Sequence, residues 1–259
     1  RAIKQCGRPA VADAGVQWHG LDYHTVAPYS TAQTDITLPI YPLKRRFRRR
    51  LLGWYDRNGR DLPWRKTRDP YRILVSEIML QQTQVDRVMP KYEEWLERFP
   101  TFETLAKAPL RKAVQVWRPL GYNIRPRRLH AIAKHVVNRF DGRLPSDVET
   151  LKSFKGLGDY TAGAVQCFAF GKRAPIVDTN ISRVLFRVFV GNGDRAKHAV
   201  KQHLWTLSAS LLPRKRFFDF NQALMDLGAM VCLARKPLCT KCPMQTICTT
   251  YVTNTNTLT

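Results

Sequence analysis

Apolar residues recur along most of the chain at the three- and four-residue spacing of α-helices. One long helix is predicted from about Tyr71 to Met89, with Pro90 and Pro100 marking its end. Its apolar stripe consists of Leu74, Ile78, Val85 and Met89. Further helices, with Gly or Pro at most joints, are predicted at about 102–117, 125–140, 146–154, 159–170, 179–190, 196–211 and 217–231. No segment alternates like a strand, so the sequence predicts an all-α fold with short connections.

The start of the chain divides into two parts. Residues 1–40 show no clean period, and we expect a poorly ordered extension without a function of its own. A basic run then leads into an apolar segment, which predicts an amphipathic helix that ends near Asn58. A solvated helix face and a DNA-contacting face explain such a run equally well. The basic residues are Lys44, Arg45, Arg46, Arg48, Arg49 and Arg50.

The charge balance narrows the class of partner. The chain has 43 Lys and Arg against 20 Asp and Glu, a formal net charge of +23. Such an excess predicts a polyanionic partner, and nucleic acid is the usual one. No apolar run is long enough for a transmembrane helix, and residues 1–40 lack the apolar stretch of a signal peptide. We therefore expect an intracellular protein that does not bind a membrane.

A glycine-rich turn is predicted between the helices of residues 146–154 and 159–170. Gly156 and Gly158 permit a tight turn with unusual dihedral angles, and the next helix begins with free amide N–H groups. Those amides and the positive helix end suit a phosphate, which Lys155 could also meet. Gly-x-Gly alone also fits an ordinary helix–helix turn. Together with the basic charge, the segment is interpreted as a phosphate-binding hairpin.

Four of the six cysteines cluster near the end of the sequence with the spacing C-x6-C-x2-C-x5-C. These are Cys232, Cys239, Cys242 and Cys248, whereas Cys6 and Cys167 stand alone. In a reducing compartment a tight cluster indicates metal rather than disulfides. Four thiolates can hold zinc or a [4Fe–4S] cluster, and spacing alone does not decide between them. Basic residues near the cluster suit DNA phosphates; they are Arg214, Lys215, Arg216, Arg235, Lys236 and Lys241.

Two carboxylates lie in apolar surroundings. Glu77 falls between Ile73 and Leu74 on the predicted helical wheel, so burial should raise its pKa and favour the protonated acid. From that helix alone, a Glu that pairs with an Arg or reaches solvent is the simpler interpretation. Asp178 follows an apolar run and precedes a helix, where an N-cap is frequent. The helix dipole should favour its carboxylate form, which could stabilise a cationic transition state.

The hairpin, the Asp178 segment and the four-cysteine tail together resemble the endonuclease III-like DNA glycosylases. The resemblance covers residues from about 50 to 250. Within that superfamily the sequence is similar to the MutY-type adenine glycosylases. The matching segments are Leu62–Arg65, Ser76–Val85, Leu120–Tyr122 and Phe220–Ala229. So many matches in one order make the superfamily assignment specific.

The resemblance implies a two-domain helix-hairpin-helix glycosylase fold, all-α, with a C-terminal four-cysteine iron–sulfur cluster loop. Residues 70–178 would form the helical-barrel domain with the hairpin. Residues 41–69 and 179–250 would form the cluster domain, followed by a tail at 251–259. The cofactor would be a [4Fe–4S] cluster on the four cysteines. A monomer would bind mismatched double-stranded DNA between its domains and flip the target nucleotide out of the stack.

The resemblance also implies catalytic roles. Glu77 would protonate the departing adenine and then assist the nucleophile, while Asp178 would stabilise the oxocarbenium-like sugar. Asn180 would support Asp178. Bifunctional relatives carry a Lys where Tyr160 lies in the hairpin, and a tyrosine cannot form their Schiff base. Lys155 lies on the other side of the hairpin, so a monofunctional glycosylase is predicted.

Four further side chains would handle the DNA. Gln82 and Tyr122 would wedge into the duplex and contact the opposite base. Gln222 and Trp64 would line the pocket for the flipped base. The implied reaction is excision of adenine mispaired with guanine or 8-oxoguanine during base excision repair.

Three departures from the MutY-type pattern keep alternatives open. Asn123 stands where an aromatic residue is common, and Thr179 where glycine is common. Many members continue into a domain that helps to read 8-oxoguanine, whereas this sequence ends at Thr259. The thymine·guanine mismatch glycosylases share the hairpin tyrosine and the Arg68–Tyr71 segment, so excision of thymine or uracil is the main alternative.

Two non-enzymatic classes remain as alternatives. Hairpins and basic patches also occur in DNA-binding modules without catalysis. Such a module needs neither Glu77 nor Asp178. A zinc-bound regulatory protein is the other, and its metal content would distinguish it.

Overall fold

The computed structural model describes the backbone of residues 40–256 and the side chains of residues 42–253. The expected extension over residues 1–40 therefore lies outside the described residues, apart from Ile40. Cys6 lies outside them as well. None of the described helices is long and apolar enough to cross a membrane.

The described part of the chain is helical and contains no strand. Asp side chains cap several helices by accepting a backbone N–H in the first turn, as Asp69 and Asp147 do. The helices are α1 Ile40–Asn58, α2 Pro70–Leu80, α3 Val85–Arg98, α4 Phe102–Lys107, α5 Leu110–Trp117, α6 Ile124–Phe140, α7 Val148–Ser153, α8 Asp159–Phe168, α9 Thr179–Leu185, α10 His198–Leu211, α11 Phe217–Met230 and α12 Thr249–Asn256.

Three predicted helices are divided. The helix predicted over 71–89 is wrong: α2 ends at Leu80, Gln82 has a φ of 56°, and α3 begins at Val85. Pro90 does not end a helix but lies inside α3. The pattern over 102–117 splits at Pro109 into α4 and α5, and that over 179–190 continues from α9 into a π-helical turn, Phe186–Val190.

The helices pack in two groups. In the first, α2 packs on α3, α6 and α8, while α4 and α5 pack on α6, and α7 on α8. In the second, α11 packs on α1 and α9, and α10 packs on α9. The first group comes from residues 70–168 and the second from α1 with α9–α12, and α8 touches α11 between them. The described residues belong to one compact unit, so the division into two domains stays a prediction.

The basic run of α1 is partly structural. Arg48 donates to the carbonyl oxygens of Ser210 and Leu211 at 2.7 Å each, and so closes the end of α10. Arg50 donates to Thr246 Oγ1 and to the Pro243 carbonyl in the cysteine segment. These two arginines therefore join α1 to other elements instead of lying free for DNA.

Candidate active site

Glu77 is buried in the middle of α2, with 5 % of its surface exposed. Burial raises the pKa of its carboxyl to about 7, helped by the charge of Asp178 and opposed by Tyr160 and Arg65. The burial expected from the sequence is therefore confirmed. A carboxyl with this pKa is about half protonated near neutrality, and the protonated form is the one that a general acid requires.

Tyr160 lies in the first turn of α8 and reaches Glu77. Burial, then the carboxyls of Glu77 and Asp178, raise the pKa of its phenol well above the ordinary value. Its hydroxyl donates to Met225 Sδ at 3.3 Å. Because a phenol has one proton, it donates either to Met225 Sδ or to the Glu77 carboxylate, and donation to the carboxylate lowers the pKa of Glu77. Tyr160 is thus a neutral hydrogen-bonding neighbour of Glu77.

Asp178 is the N-cap of α9. Its Oδ1 accepts from the Ile181 backbone N–H at 2.7 Å, and its Oδ2 accepts from Asn180 Nδ2 at 3.1 Å. The capping interpretation is confirmed, and the hydrogen bonds at the helix end lower the pKa of Asp178 as expected. Burial raises the pKa of Asp178 more than these hydrogen bonds and Arg183 lower it.

Arg183 connects this carboxylate to the cysteine segment. Its Nη2 donates to Asn180 Oδ1 and to the Gly228 carbonyl, both at 2.7 Å. Its Nε donates to the Cys232 carbonyl at 2.7 Å. Asn180 therefore supports Asp178 and is itself held by Arg183.

Two glycines let the elements of the site approach each other. A Cβ on Gly163 of α8 would lie 2.7 Å from the Pro175 carbonyl, in the segment that leads to Asp178. A Cβ on Gly228 of α11 would lie 2.7 Å from Asn180 Cβ and 3.0 Å from the Asn180 carbonyl. Neither helix could come so close with a larger residue.

The two residues predicted to line the pocket, Gln222 and Trp64, lie on different elements. Gln222 is buried on α11, and no hydrogen bond of its side chain is recorded within residues 42–253. Its amide is therefore free to bond a ligand. Trp64 is buried in the turn Pro63–Arg65. Its ring packs edge-to-face with that of Tyr92, with the ring centroids 5.4 Å apart.

The sequence reasoning missed a buried ionic cluster that includes Arg65, the residue after Trp64. Asp226 has no exposed side-chain surface and accepts from Arg65 Nη1 and Nη2 at 2.8 Å each. Arg60 adds its backbone N–H at 3.0 Å and its Nε at 2.7 Å. Arg65 and Asp226 lie in segments that carry the resemblance. Their pairing joins positions too far apart in sequence for any local pattern to reveal.

The hairpin joins α7 and α8 through Phe154–Gly158. Gly156 has a φ of 100°, and Gly158 caps α8 without a side-chain hydrogen bond, so the first amides of α8 have no side-chain partner there. Lys155 is exposed beside them. Asp159 would repel an anion at this helix end, but it pairs with Lys152 at 2.7 Å. The turn therefore offers the N–H donors predicted for a phosphate.

Gln82 and Tyr122 lie on two exposed loops of the same helical group. Gln82 is exposed between α2 and α3, and Tyr122, between α5 and α6, has 60 % of its surface exposed. Their φ angles are 56° and 49°, in the left-handed region that non-glycine residues rarely adopt. Both side chains are therefore accessible to a partner, and each projects from a residue with a left-handed backbone conformation.

The four clustered cysteines lie close enough to affect the pKa values of one another's thiols. Burial first, and then the neighbouring thiols of Cys232, Cys248 and Cys239, raise the pKa of Cys242 to about 11, while the Met244 amide lowers it. Two N–H groups point at sulfur: Arg187 Nη1 lies 3.4 Å from Cys232 Sγ, and the Met244 amide lies 3.4 Å from Cys242 Sγ. Among the described residues, no three His, Cys, Asp or Glu side chains are arranged around a single metal ion.

The basic residues near the cysteines differ in their surroundings. Arg216 is tied to Asp56 and to Asp219, the latter at 2.9 Å. Arg235, Lys236 and Lys241 are exposed. Arg214 and Lys215 are exposed as well, so these five keep the predicted availability to phosphate, whereas Arg216 is paired with two carboxylates.

Comparison with known proteins identifies the family to which the chain is similar. The model of the HhH-GPD superfamily base excision DNA repair protein matches residues 75–210. The adenine DNA glycosylase of Rattus norvegicus is 46% identical over 211 residues, which are 78% of this chain and 41% of that protein. That of Mycolicibacterium smegmatis is 45% identical over 195 residues, 75% of this chain and 66% of that protein. The chain thus spans about two fifths of the rat protein's length.

A solved structure extends the similarity to the whole described fold. The structure of a thermostable thymine-DNA glycosylase superposes with a TM-score of 0.77 and 35% identity. It covers 83% of this chain and 99% of that one. The all-α fold and the superfamily inferred from the sequence are confirmed, and the chain belongs to the HhH-GPD superfamily of base excision DNA repair proteins.

Proposed function

We propose that this protein is a monofunctional DNA N-glycosylase that removes adenine mispaired with guanine or 8-oxoguanine. The observation that carries the proposal is the pair of carboxyls formed by Glu77 and Asp178. One has a pKa of about 7 in a buried setting, and the other is held at a helix N-terminus by two N–H donors. The identity of 46% with an adenine DNA glycosylase favours adenine as the base. Because the substrate would be chromosomal DNA, we propose that the protein acts inside the cell.

The chemistry follows from the surroundings of the two carboxyls. Glu77 in its acid form donates its proton to the adenine ring, and the bond between base and sugar breaks with its electron pair going to the base. The sugar becomes an oxocarbenium-like cation, and ionised Asp178 stabilises that charge. Water then attacks the sugar carbon and gives a proton to the Glu77 carboxylate, which restores the acid. The products are free adenine and an abasic site.

Tyr160 supports the monofunctional part of the proposal. Its neutral phenol lies where a bifunctional relative would need an amine, and its raised pKa keeps it protonated near neutrality. A phenol cannot form a Schiff base with the sugar. Strand cleavage by the protein itself should therefore be absent or weak.

DNA binding is proposed to use the hairpin, the two exposed loops and the pocket. The hairpin amides with Lys155, Gly156 and Gly158 would hold a phosphate. Gln82 and Tyr122 would enter the duplex as the target base leaves it. The net charge of +23 favours such a complex electrostatically. A monomer would suffice, because all these groups come from one chain.

We further propose that the four cysteines hold a [4Fe–4S] cluster. The donor set fits, since four thiols lie within electrostatic reach of one another and two N–H groups point at sulfur. When bound, the cluster would supply four iron–thiolate bonds that fix the segment from Cys232 to Cys248. That segment would then present Arg235, Lys236 and Lys241 to DNA.

Thymine or uracil opposite guanine is the second candidate substrate. It is favoured by the thymine-DNA glycosylase structure, which the chain matches over 99% of its length. The acid and the fold would be the same, and the pocket around Gln222 would decide. The higher identity to adenine glycosylases makes adenine the first choice.

Single-turnover excision by the purified protein tests the function. Duplexes with A·8-oxoguanine, A·G, T·G or U·G would be incubated with excess enzyme and treated with alkali. Cleavage of the adenine strands alone supports the proposal, and cleavage of the T·G and U·G strands alone moves the protein to the thymine branch. Excision from no duplex, with binding retained, would indicate a DNA-binding module. Iron, sulfide and zinc assays on the same sample test the cofactor.

A further inference from the structure

One buried arginine bonds both exposed loops. Arg125, in the first turn of α6, has 3 % of its surface exposed. On one side it reaches the end of α2 and the loop that carries Gln82. There its Nη1 donates to the carbonyl oxygens of Ile78 at 3.3 Å, Met79 at 2.9 Å and Gln81. Its Nη2 donates to Thr83 Oγ1 at 3.0 Å.

The same guanidinium bonds the loop that carries Tyr122. Its Nη2 donates to the carbonyls of Leu120 and Gly121, each at 3.2 Å. Its Cζ lies 5.4 Å from the ring centres of both Trp117 and Tyr122. The guanidinium therefore lies between the two loops and contacts the backbone that leads to each exposed side chain.

The surroundings of Arg125 explain why both loops depend on it. Within residues 42–253 it forms no ion pair, so backbone carbonyl dipoles and a hydroxyl must compensate its charge. The carbonyls at the end of α2 are the unpaired ones of a helix C-terminus, where a cation is stabilising. Removing these acceptors would leave a buried cation without partners, which is costly. The loops and the guanidinium are thus mutually required.

The two loop tips would not hold their shape alone. Gln82 and Tyr122 both have left-handed backbone, which is unfavourable for a non-glycine residue and persists only where its surroundings impose it. Gln82 directly follows a carbonyl that Arg125 binds, and so does Tyr122. One side chain therefore fixes the backbone before both tips.

We propose that Arg125 is a positioning residue that sets Gln82 and Tyr122 relative to each other, so that both enter one duplex step together. This inference rests on the proposed function, which gives the two tips their contact with DNA. Lysine could keep the charge but not the role. A single ammonium group cannot reach six oxygens on two loops, whereas the planar fork of arginine presents several donors at fixed angles.

The test compares Arg125→Lys with Arg48→Lys. Arg48 is a matched control, because within residues 42–253 it too forms no ion pair and donates to backbone carbonyls at a helix end, that of α10. Single-turnover rates would be measured for adenine opposite guanine and for adenine opposite an abasic site. In the second substrate there is no opposite base for the protein to contact, and the adenine is already unpaired.

The expected result is a difference between substrates. Arg125→Lys should slow excision from A·G by about 100-fold, because a small misplacement of positioning groups has effects of that size. Excision opposite the abasic site should fall by much less, and Arg48→Lys should change neither rate. Equal losses on both substrates would reveal a merely structural residue. An unchanged A·G rate would overturn the inference as well.

A fluorescence measurement separates this inference from the proposed function. A duplex with 2-aminopurine at the target position brightens when the base leaves the stack. Arg125→Lys should remove most of the brightening that the wild type and Arg48→Lys produce. If the wild type excises no adenine, the proposed function fails, and the inference stands if this loss of brightening is still seen. If the variant brightens like the wild type, the inference fails whatever is excised.

Discussion

Arg183 donates a hydrogen bond of 2.7 Å to the amide oxygen of Asn180, whose amide nitrogen in turn donates to Asp178 at 3.1 Å. The other side of the same guanidinium binds the Cys232 carbonyl at 2.7 Å. The backbone at the first cysteine and the carboxylate at the α9 N-terminus are therefore joined through two side chains. Arg183 therefore fixes the orientation of Asn180, and Asn180 in turn that of the Asp178 carboxylate.

Arg183→Gln should reduce excision without weakening DNA binding. The shorter side chain cannot bond Asn180 and Cys232 together, so Asn180 loses the group that orients it towards Asp178. We expect the single-turnover rate to fall about 10- to 100-fold, as when an outer hydrogen-bonding partner of a site is lost. Affinity for mismatched duplex, measured by fluorescence anisotropy, should stay within about threefold of the wild type. A matched fall in affinity would contradict this assignment.

Arg187→Gln should affect the cysteine segment instead. Arg187 bonds Cys232 Sγ at 3.4 Å and the carbonyls of Leu233 at 2.7 Å and Ala234 at 3.1 Å. Without these bonds, the turn that presents Cys232 loses its support. The expected result is a lower content of iron and sulfide per chain, measured on freshly purified protein. Full iron content would show that Arg187 is dispensable to the segment.

Glu77 should make both activity and stability depend on pH. Its pKa rises from 4.5 to about 7 on folding, so the folded state binds an extra proton between these values. The contribution of Glu77 to stability is therefore largest below pH 4.5 and falls as the pH rises from there through 7, by on the order of 3 kcal/mol. The single-turnover rate should fall over the same range, because the acid form is lost.

Glu77→Gln tests the sign of this dependence. The amide never ionises, so at pH 8 the variant should be more stable than the wild type in urea, and the difference should vanish near pH 5. Its excision rate should drop by at least about 100-fold at every pH. Equal stability of the two proteins at pH 8 would show that Glu77 is not desolvated in the folded state.

Much of this arrangement was accessible from the sequence for identifiable reasons. Helical periodicity gave the all-α class, the position of Asp178 before a helix gave its cap, and the apolar neighbours of Glu77 gave its burial. The roles proposed for these residues came from the resemblance, which no local pattern replaces.

The remaining features depend on contacts between distant residues. The break after Leu80 has no Gly or Pro to mark it in the sequence. The helix can end there because Arg125 from α6 binds the carbonyls that the last turn leaves unpaired. Burial outweighs the helix end of α9 in the pKa of Asp178, and that burial arises only when distant segments pack together. The Arg65–Asp226 pair is of the same kind, since each residue alone looks like an ordinary surface charge.

Asp226→Asn should destabilise the protein strongly. Burial raises the pKa of Asp226, but the arginines Arg65 and Arg60 outweigh it, so the pKa lies below 3.8. The carboxylate therefore stabilises the fold above that value, and the contribution is lost as the pH falls through the folded pKa. Removing its charge leaves a buried arginine unpaired, at a cost of about 3 to 5 kcal/mol. Asp219→Asn, which breaks the more exposed pair with Arg216, should cost about 1 kcal/mol or less in urea titrations.

Gly228→Ala tests the close approach of α11 to the Asp178 support. A Cβ at this position would lie 2.7 Å from Asn180 Cβ and 3.0 Å from its carbonyl oxygen, so α9 must move. We expect a loss of about 1 to 3 kcal/mol in stability, as for other overpacked sites. Excision should slow as Asn180 shifts away from Asp178.

Gly53→Ala is the matched control, since Gly53 is also inside a helix and a Cβ there would meet nothing within 4 Å. Alanine favours a helix over glycine by about 1 kcal/mol, so this variant should be more stable and equally active. The two substitutions are chemically identical, and they differ only in what the added methyl group touches. If both variants behaved alike in urea denaturation and in single-turnover excision, the contact between Gly228 and Asn180 would not be what holds Asp178 in position.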